Sequence, residues 1–354
     1  MPSLHLTATL AGLALAATLA PAAHAAVTDG IDVRLSTVAP VVQGDVDVVV
    51  RVTITNTNSR PVLLHPWQLP SSQLDGSLFQ VTRDGQSVPY TGPLVKRNTP
   101  GPRDVLRLDA GASASYDVEL TGAYGLDRDG RYDITYRSRG VHANYATPTL
   151  QSDVLYLWLQ GRTAPATSAM APAGAAAAVV AAASVGYTGN CSASQKTTLQ
   201  QAMTAATAYA TGAATYLGAT PTATKQRYVK WFGTVNTANW NTAKAHFVAT
   251  RDAFNTKPVV LDCSCKQSYY AYVYPTQPYK IYVCNAFWSA PLTGTDSKAG
   301  TLIHEMTHFN AVASTDDWAY GKTAAAALAI SNPAKALDNA DSHEYFAENT
   351  PVLP

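Results

Sequence analysis

The sequence predicts a multidomain chain, with an N-terminal all-β sandwich of the immunoglobulin-like kind followed by a C-terminal α+β domain. Three observations predict it. Short β-branched runs recur, with turn clusters between them, up to residue 162. Residues 163–185 then carry no charge and are rich in Ala, Pro and Thr. Beyond them, Ala-rich segments with helical spacing of apolar residues accompany tyrosine-rich runs of strand character.

The strand runs fall at 31–37, 46–55, 78–83, 115–120, 131–137 and 154–159. Turn signals such as Asp84-Gly85 and Asp129-Gly130 separate them. This half has no cysteine and no cluster of histidine with carboxylates; His65 and His142 stand alone and are expected to be structural or surface residues. The uncharged stretch supports neither strand alternation nor an amphipathic helix, and reads as a linker. After it, helices are expected at 193–217, with Ser192 or Ser194 as N-cap, then at 224–232, 239–254, 298–310 and 321–330. Two strands, 269–273 and 280–284, join through Pro275 and Pro278.

Residues 1–26 read as a signal peptide. Residues 10–20 are apolar, and Pro21-Ala22-Ala23-His24-Ala25-Ala26 is a small-residue cleavage pattern with the cut after Ala25 or Ala26. The six residues before the apolar run have no Lys or Arg, a departure from the usual signal. The expected product is secreted, extracellular and free of the membrane. Four cysteines, Cys191, Cys263, Cys265 and Cys284, agree with an oxidising compartment and two disulfides. A four-cysteine zinc site normally uses C-x-x-C spacing, absent here. A formal net charge of +1 gives no field for nucleic acid, and a monomer is expected.

The chemistry lies in His304-Glu305-Met306-Thr307-His308. Histidines at i and i+4 share one helix face, so their imidazoles can close on one ion. Zinc in hydrolytic sites takes three protein ligands and leaves room for water. Glu305 can reach that water without ligating the metal and act as general base. The third ligand is open from spacing alone. Ala311 and Ser314 stand where a metzincin needs Gly and His. Glu344 or Glu348 would complete a thermolysin-like site; Asp316 or Asp317 would supply an aspartate.

The stretch Gly300-Thr301-Leu302-Ile303-His304-Glu305-Met306-Thr307-His308-Phe309, followed by Thr315-Asp316-Asp317-Trp318-Ala319-Tyr320-Gly321, resembles the aspzincin pattern of the deuterolysin family. Within it the peptidyl-Lys metalloendopeptidases are most similar. Cys263-Ser264-Cys265, Ala271-Tyr272-Val273-Tyr274-Pro275, Ala286-Phe287-Trp288 and 339–349 match as well. The resemblance covers 187–354 and implies a zincin-like catalytic domain over 186–354. It departs at Ser314, where the family usually has Gly. It implies one zinc ion held by His304, His308 and Asp317, with Glu305 as base and Tyr320 as oxyanion donor. It also implies disulfides Cys191–Cys263 and Cys265–Cys284, and a pocket at Asp341 and Glu344 for a lysine after the scissile bond.

Asp341-Ser342-His343-Glu344 is also a helix capping-box pattern, the rival account of those acids. His343 is a candidate partner of a zinc ligand. The expected substrates are proteins and peptides cut before lysine; the alternative is a broad-specificity deuterolysin-like neutral metallopeptidase. A non-enzymatic binding role for the sandwich is a further rival. Residues 27–162 read as a propeptide that blocks the cleft as an intramolecular inhibitor. Among residues 27–184 the only lysine is Lys96. A lysine-directed enzyme therefore could not cut its own linker, and a separate protease is expected to act near 183–186.

Overall fold

A computed structural model describes residues 30–70, 74–98, 104–138, 149–163 and 185–354. The expected signal peptide, linker residues 164–184 and His142 lie outside the described residues.

The N-terminal part is rich in sheet. Its strands are β1 (Ile31–Ser36), β2 (Val41–Gln43), β3 (Val49–Asn56), β4 (Val62–Leu64), β5 (Phe79–Arg83), β6 (Gln86–Val88), β7 (Leu94–Lys96), β8 (Leu106–Leu108), β9 (Ser113–Glu119), β10 (Gly130–Tyr136) and β11 (Leu155–Gln160). One sheet has the order β1-β3-β9 and a second the order β2-β11-β10-β5-β6. Strand alternation explains how they share a core. Val50, Val52 and Ile54 of β3 are buried together with Val81, Tyr132, Ile134 and Leu157 of the second sheet. All six expected strand runs are present, with ends shifted by at most a few residues.

The C-terminal part is mainly helical. In chain order it comprises β12 (Gly186–Thr188), α1 (Ala193–Leu217), α2 (Gln226–Phe232), α3 (Thr237–Thr256), β13 (Val260–Asp262), β14 (Ala271–Val273), β15 (Lys280–Val283), α4 (Asn285–Ser289), α5 (Lys298–His308), α6 (Lys322–Ser331), α7 (Pro333–Leu337) and α8 (Ala340–Glu348). Helix α1 has the expected bounds. Ser192 is its N-cap, and Ser192 and Gln195 bond each other reciprocally, satisfying two amides that a helix start leaves open. Disulfides Cys191–Cys263 and Cys265–Cys284 form as expected. The first fastens the start of α1 to the end of β13; the second ties the following loop to the end of β15.

The C-terminal sheet has an unforeseen member. Its order is β12-β13-β15-β14-β7, so a strand from the N-terminal part is its fifth strand. Strand β7 runs antiparallel to β14, with Lys96 opposite Ala271 and Leu94 opposite Val273. Leu94, Val95 and Lys96 are all buried there.

Helix α5 is the centre of this part. All 11 of its residues are buried. Its Leu302, Ile303 and Met306 enter the apolar core with Leu199, Phe247 and Phe346. Ser297 caps it by accepting from the Gly300 amide. Helix α8 approaches α5 closely at Gly300. A Cβ there would lie 2.1 Å from Glu348 Oε1 and 3.0 Å from Glu344 Cγ. Glu348 cannot swing aside freely, because Ser297 N, Ser297 Oγ and Asp296 N all donate to its carboxylate. Alanine would gain about 1 kcal/mol of helix propensity. Overpacking costs about 1–3 kcal/mol, and three bonds resist relaxation, so overpacking wins. Gly300→Ala is expected to lower stability by about 1–2 kcal/mol, read as the denaturation midpoint; an unchanged or higher midpoint would show that α8 yields.

Candidate metal centre and adjoining acidic pocket

Helix α5 presents His304 and His308 one turn apart, as their spacing requires. Their Nε2 atoms lie 3.1 Å from each other, and both side chains are fully buried. The other ring nitrogen of each histidine faces protein oxygens. His308 Nδ1 lies 2.7 Å from the Thr315 carbonyl oxygen, to which it must donate. His304 Nδ1 lies 2.9 Å from Asp341 Oδ1 and 3.5 Å from Glu344 Oε2. With both protons on Nδ1, the two Nε2 lone pairs face one space with no hydrogen between them.

Asp317 closes that space. Its Oδ1 is 3.3 Å from His304 Nε2 and 3.5 Å from His308 Nε2. Both Asp317 oxygens are buried, without a hydrogen-bond donor among the described residues. Two imidazole lone pairs and an orphaned carboxylate are an arrangement that a cation resolves, and the donor set suits zinc. The ligand atoms lie within 4.8 Å of one another. The carboxylate is fixed from behind, because Asn339 Oδ1 accepts from the Trp318 and Ala319 amides, 2.9 Å each. Asp316, the other candidate, turns away and accepts from the Asp317 amide at 2.8 Å.

The remaining expected residues fall as follows. Glu305 is fully buried, and burial pushes its carboxyl up to about 8. Tyr320 is buried with its ring edge on Trp67, centroids 5.7 Å apart. Burial, then the Asp317 charge, raise its phenol, so it stays a donor. His65 packs face to face on Trp67 at 4.2 Å and is a structural residue. Ser314 has φ of 53°, in the left-handed region, which is why glycine is favoured at this turn. Glu344 and Glu348 do not join Asp317 and the two Nε2 atoms, so the thermolysin-like arrangement is not formed. Glu344 meets the far nitrogen of His304, and Glu348 holds Ser297.

Asp341 is not a helix cap. Helix α8 has Asn339 at its N-cap position, which leaves Asp341 inside the first turn. Asp341 Oδ2 accepts from the Gly321 amide at 2.6 Å, while Oδ1 faces His304. His343 has a different neighbourhood from the one its position suggests. Its Nε2 lies 2.9 Å from His246 Nδ1, and its Nδ1 lies 3.0 Å from the Asn339 carbonyl oxygen. It therefore orients no zinc ligand. Burial lowers this histidine to about 3, so it packs as a neutral ring.

Beside the two acids lies a side chain that the pattern did not place there. Lys96 of β7 is fully buried, with Nζ 2.5 Å from Glu344 Oε2, 3.6 Å from Asp341 Oδ1 and 3.5 Å from Asp296 Oδ1. Burial opposes its charge, but the three carboxylates outweigh burial and raise its pKa. Lys96 thus places a cation beside His304, Asp341 and Glu344, a second group whose atoms lie close enough to share one. The Lys96 amide faces Glu305 Oε1 at 3.3 Å. The next residue, Arg97, is held by Asp75 Oδ1 at 2.7 Å and lies over the Tyr269 ring.

Comparison with known proteins agrees with this geometry. A family model described as lysine-specific metallo-endopeptidase, the M35 aspzincins, matches residues 216–348. An extracellular protease of Aeromonas hydrophila is 45% identical over 97% of this chain and 98% of its own. The chain belongs to the aspzincin family of metalloendopeptidases. Another relative of this aspzincin, a peptidyl-Lys metalloendopeptidase of Armillaria mellea, is 36% identical over 86% of this chain and 87% of its own. A solved zinc peptidase from Grifola frondosa is 42% identical, covers 46% of this chain and 99% of its own, and has a TM-score of 0.44. The aspzincin is thus a peptide hydrolase of a metalloendopeptidase family.

Asp341 touches both halves of the site, which leads to a measurable expectation. A partner that orients a ligating imidazole is worth about 10–100-fold in metal affinity. Asp341→Asn is expected to weaken zinc retention by about that factor, measured by competition with a chromophoric chelator; equal retention would mean that His304 is oriented by other groups.

Proposed function

We propose that this aspzincin is an extracellular zinc endopeptidase that hydrolyses the bond before a lysine and is made as a zymogen. In this reading, residues 27–162 form an immunoglobulin-like sandwich that inhibits in cis. The carrying observation is the placement of Lys96. Its side chain fills the acidic pocket, its strand extends the edge of the catalytic sheet, and its amide nitrogen faces Glu305. A lysine that follows a scissile bond would need all three of these contacts. Strand addition at an exposed edge is a common mode of peptide recognition. The name of the Armillaria relative points to the same specificity, and that of the Aeromonas relative to the extracellular setting.

In this reading His304, His308 and Asp317 hold one zinc ion. Zinc supplies a Lewis acid that polarises the substrate carbonyl and acidifies water near it. Glu305 takes the proton of the attacking water and delivers it to the departing amide nitrogen. The 3.3 Å between its Oε1 and the Lys96 nitrogen supports that second transfer. Tyr320, kept protonated by burial, donates to the oxygen that becomes negative. Asp341 and Glu344 bind the lysine ammonium, the stronger kind of hydrogen bond because both partners are charged.

The strand that inhibits is also the one that presents the pocket with its lysine, so removal of the sandwich must open the cleft. Gly186 already pairs with Val260, and its amide donates to Val259 O, so a processing protease would act on residues before it. Residues 163–185 contain no lysine, which supports a separate protease.

Three expectations test the reading. Digestion of a denatured protein by mature enzyme should yield new chains that begin with lysine; scattered first residues would leave the broad-specificity alternative. Glu305→Gln should lose about 10²–10⁴-fold in kcat while keeping its zinc. In the full chain, Lys96→Ala should raise the residual activity of the unprocessed enzyme on a peptide substrate; residual activity as low as before would leave the pocket with no part in inhibition.

A further inference from the structure

We infer that Asp296 is a third carboxylate of the lysine pocket and a specificity-determining residue for a primary ammonium. This rests on the lysine reading of the pocket given above. No sequence motif marks Asp296. It sits in the loop before α5, whereas Asp341 and Glu344 both come from α8.

The geometry around Lys96 carries the assignment. Three carboxylate oxygens, from Glu344, Asp296 and Asp341, lie 2.5, 3.5 and 3.6 Å from Nζ. An ammonium is a compact point charge, so three carboxylates arranged around it match it. A guanidinium presents its donors in a rigid plane and favours a bidentate partner, which three separately held carboxylates do not offer. Two rings complete the wall: Tyr270 and Tyr345 have centroids 5.2 and 5.8 Å from Nζ.

Asp296 is held for this task by atoms that do not belong to the metal centre. The Tyr345 hydroxyl donates to its Oδ1 at 2.7 Å, and its amide donates to Glu348 Oε2 at 3.2 Å. Its side chain is 29% exposed, whereas those of Asp341 and Glu344 are 1% and 0% exposed. Asp296 is therefore the carboxylate at the open side of the pocket, where an incoming ammonium first loses water. The two α8 acids also bond His304, so their replacement disturbs the metal centre. Asp296 makes no such contact among the described residues, and its effect can be read separately.

The test uses mature enzyme and three peptides that differ only after the scissile bond, in lysine, norleucine or arginine. For Asp296→Asn, the ratio of kcat/KM for lysine over norleucine is expected to fall about tenfold, as one carboxylate charge 3.5 Å from the ammonium is lost. The loss should lie mainly in KM, and the preference for lysine over arginine should narrow. An unchanged lysine-to-norleucine ratio overturns the assignment while the wild type still prefers lysine. A wild type without that preference overturns the lysine reading itself. If Asp296→Asn yields no active protein, Tyr345→Phe is measured instead. A smaller fall in the same ratio supports the assignment, and equal losses on both peptides overturn it.

Discussion

The imidazole of His304 is held between two sets of groups. Its Nδ1 meets Asp341 and Glu344 of α8, and its Nε2 faces His308 and Asp317. Everything chemical in the C-terminal part depends on the two helices coming close enough for this. Gly300 allows the approach by having no Cβ, and Glu348 fixes it by accepting from the Ser297 cap. If α8 stood further away, His304 would lose the acceptor that orients it. The acids would also lose their place beside the metal centre. The candidate metal centre and the acidic pocket thus share one wall.

Strand β7 depends on that construction and also occupies it. Three residues from the N-terminal part complete the edge of the C-terminal sheet, and one of them neutralises buried acids. Burying carboxylates without a partner is costly, and breaking a buried ion pair costs about 3–5 kcal/mol. The association is therefore strong in proportion to how well the pocket suits a lysine. The same match that would select substrates also makes the N-terminal part a good occupant.

Local pattern made much of the framework legible. The β-branched run at 46–55 marked β3, whose alternation turns Val50, Val52 and Ile54 inward. The capping serine and the apolar spacing gave α1 its full extent. The spacing of His304 and His308 required a shared face, and the aspzincin resemblance chose Asp317 over Asp316 and paired the cysteines. What pattern left open was partnership. Asp341 had the spacing of a helix cap, yet Asn339 stands at that position and frees Asp341 for His304. His343 lay between two functional acids in sequence, yet the 3.6-residue turn directs it toward His246.

Lys96 draws the boundary most clearly. The sequence alone made it conspicuous as the single lysine of a long region, and the aspzincin resemblance separately implied an acidic pocket. It also determined the helix that carries the ligands, because helical and strand periods are local properties. Only the tertiary structure brought Lys96 into the pocket, 2.5 Å from a residue 248 positions later, and set Asp296 beside it. A three-residue strand has too little local signal to name its partner. Pairing across such a distance is decided by which sheet edge is open and which charge is unpaired once the rest has folded.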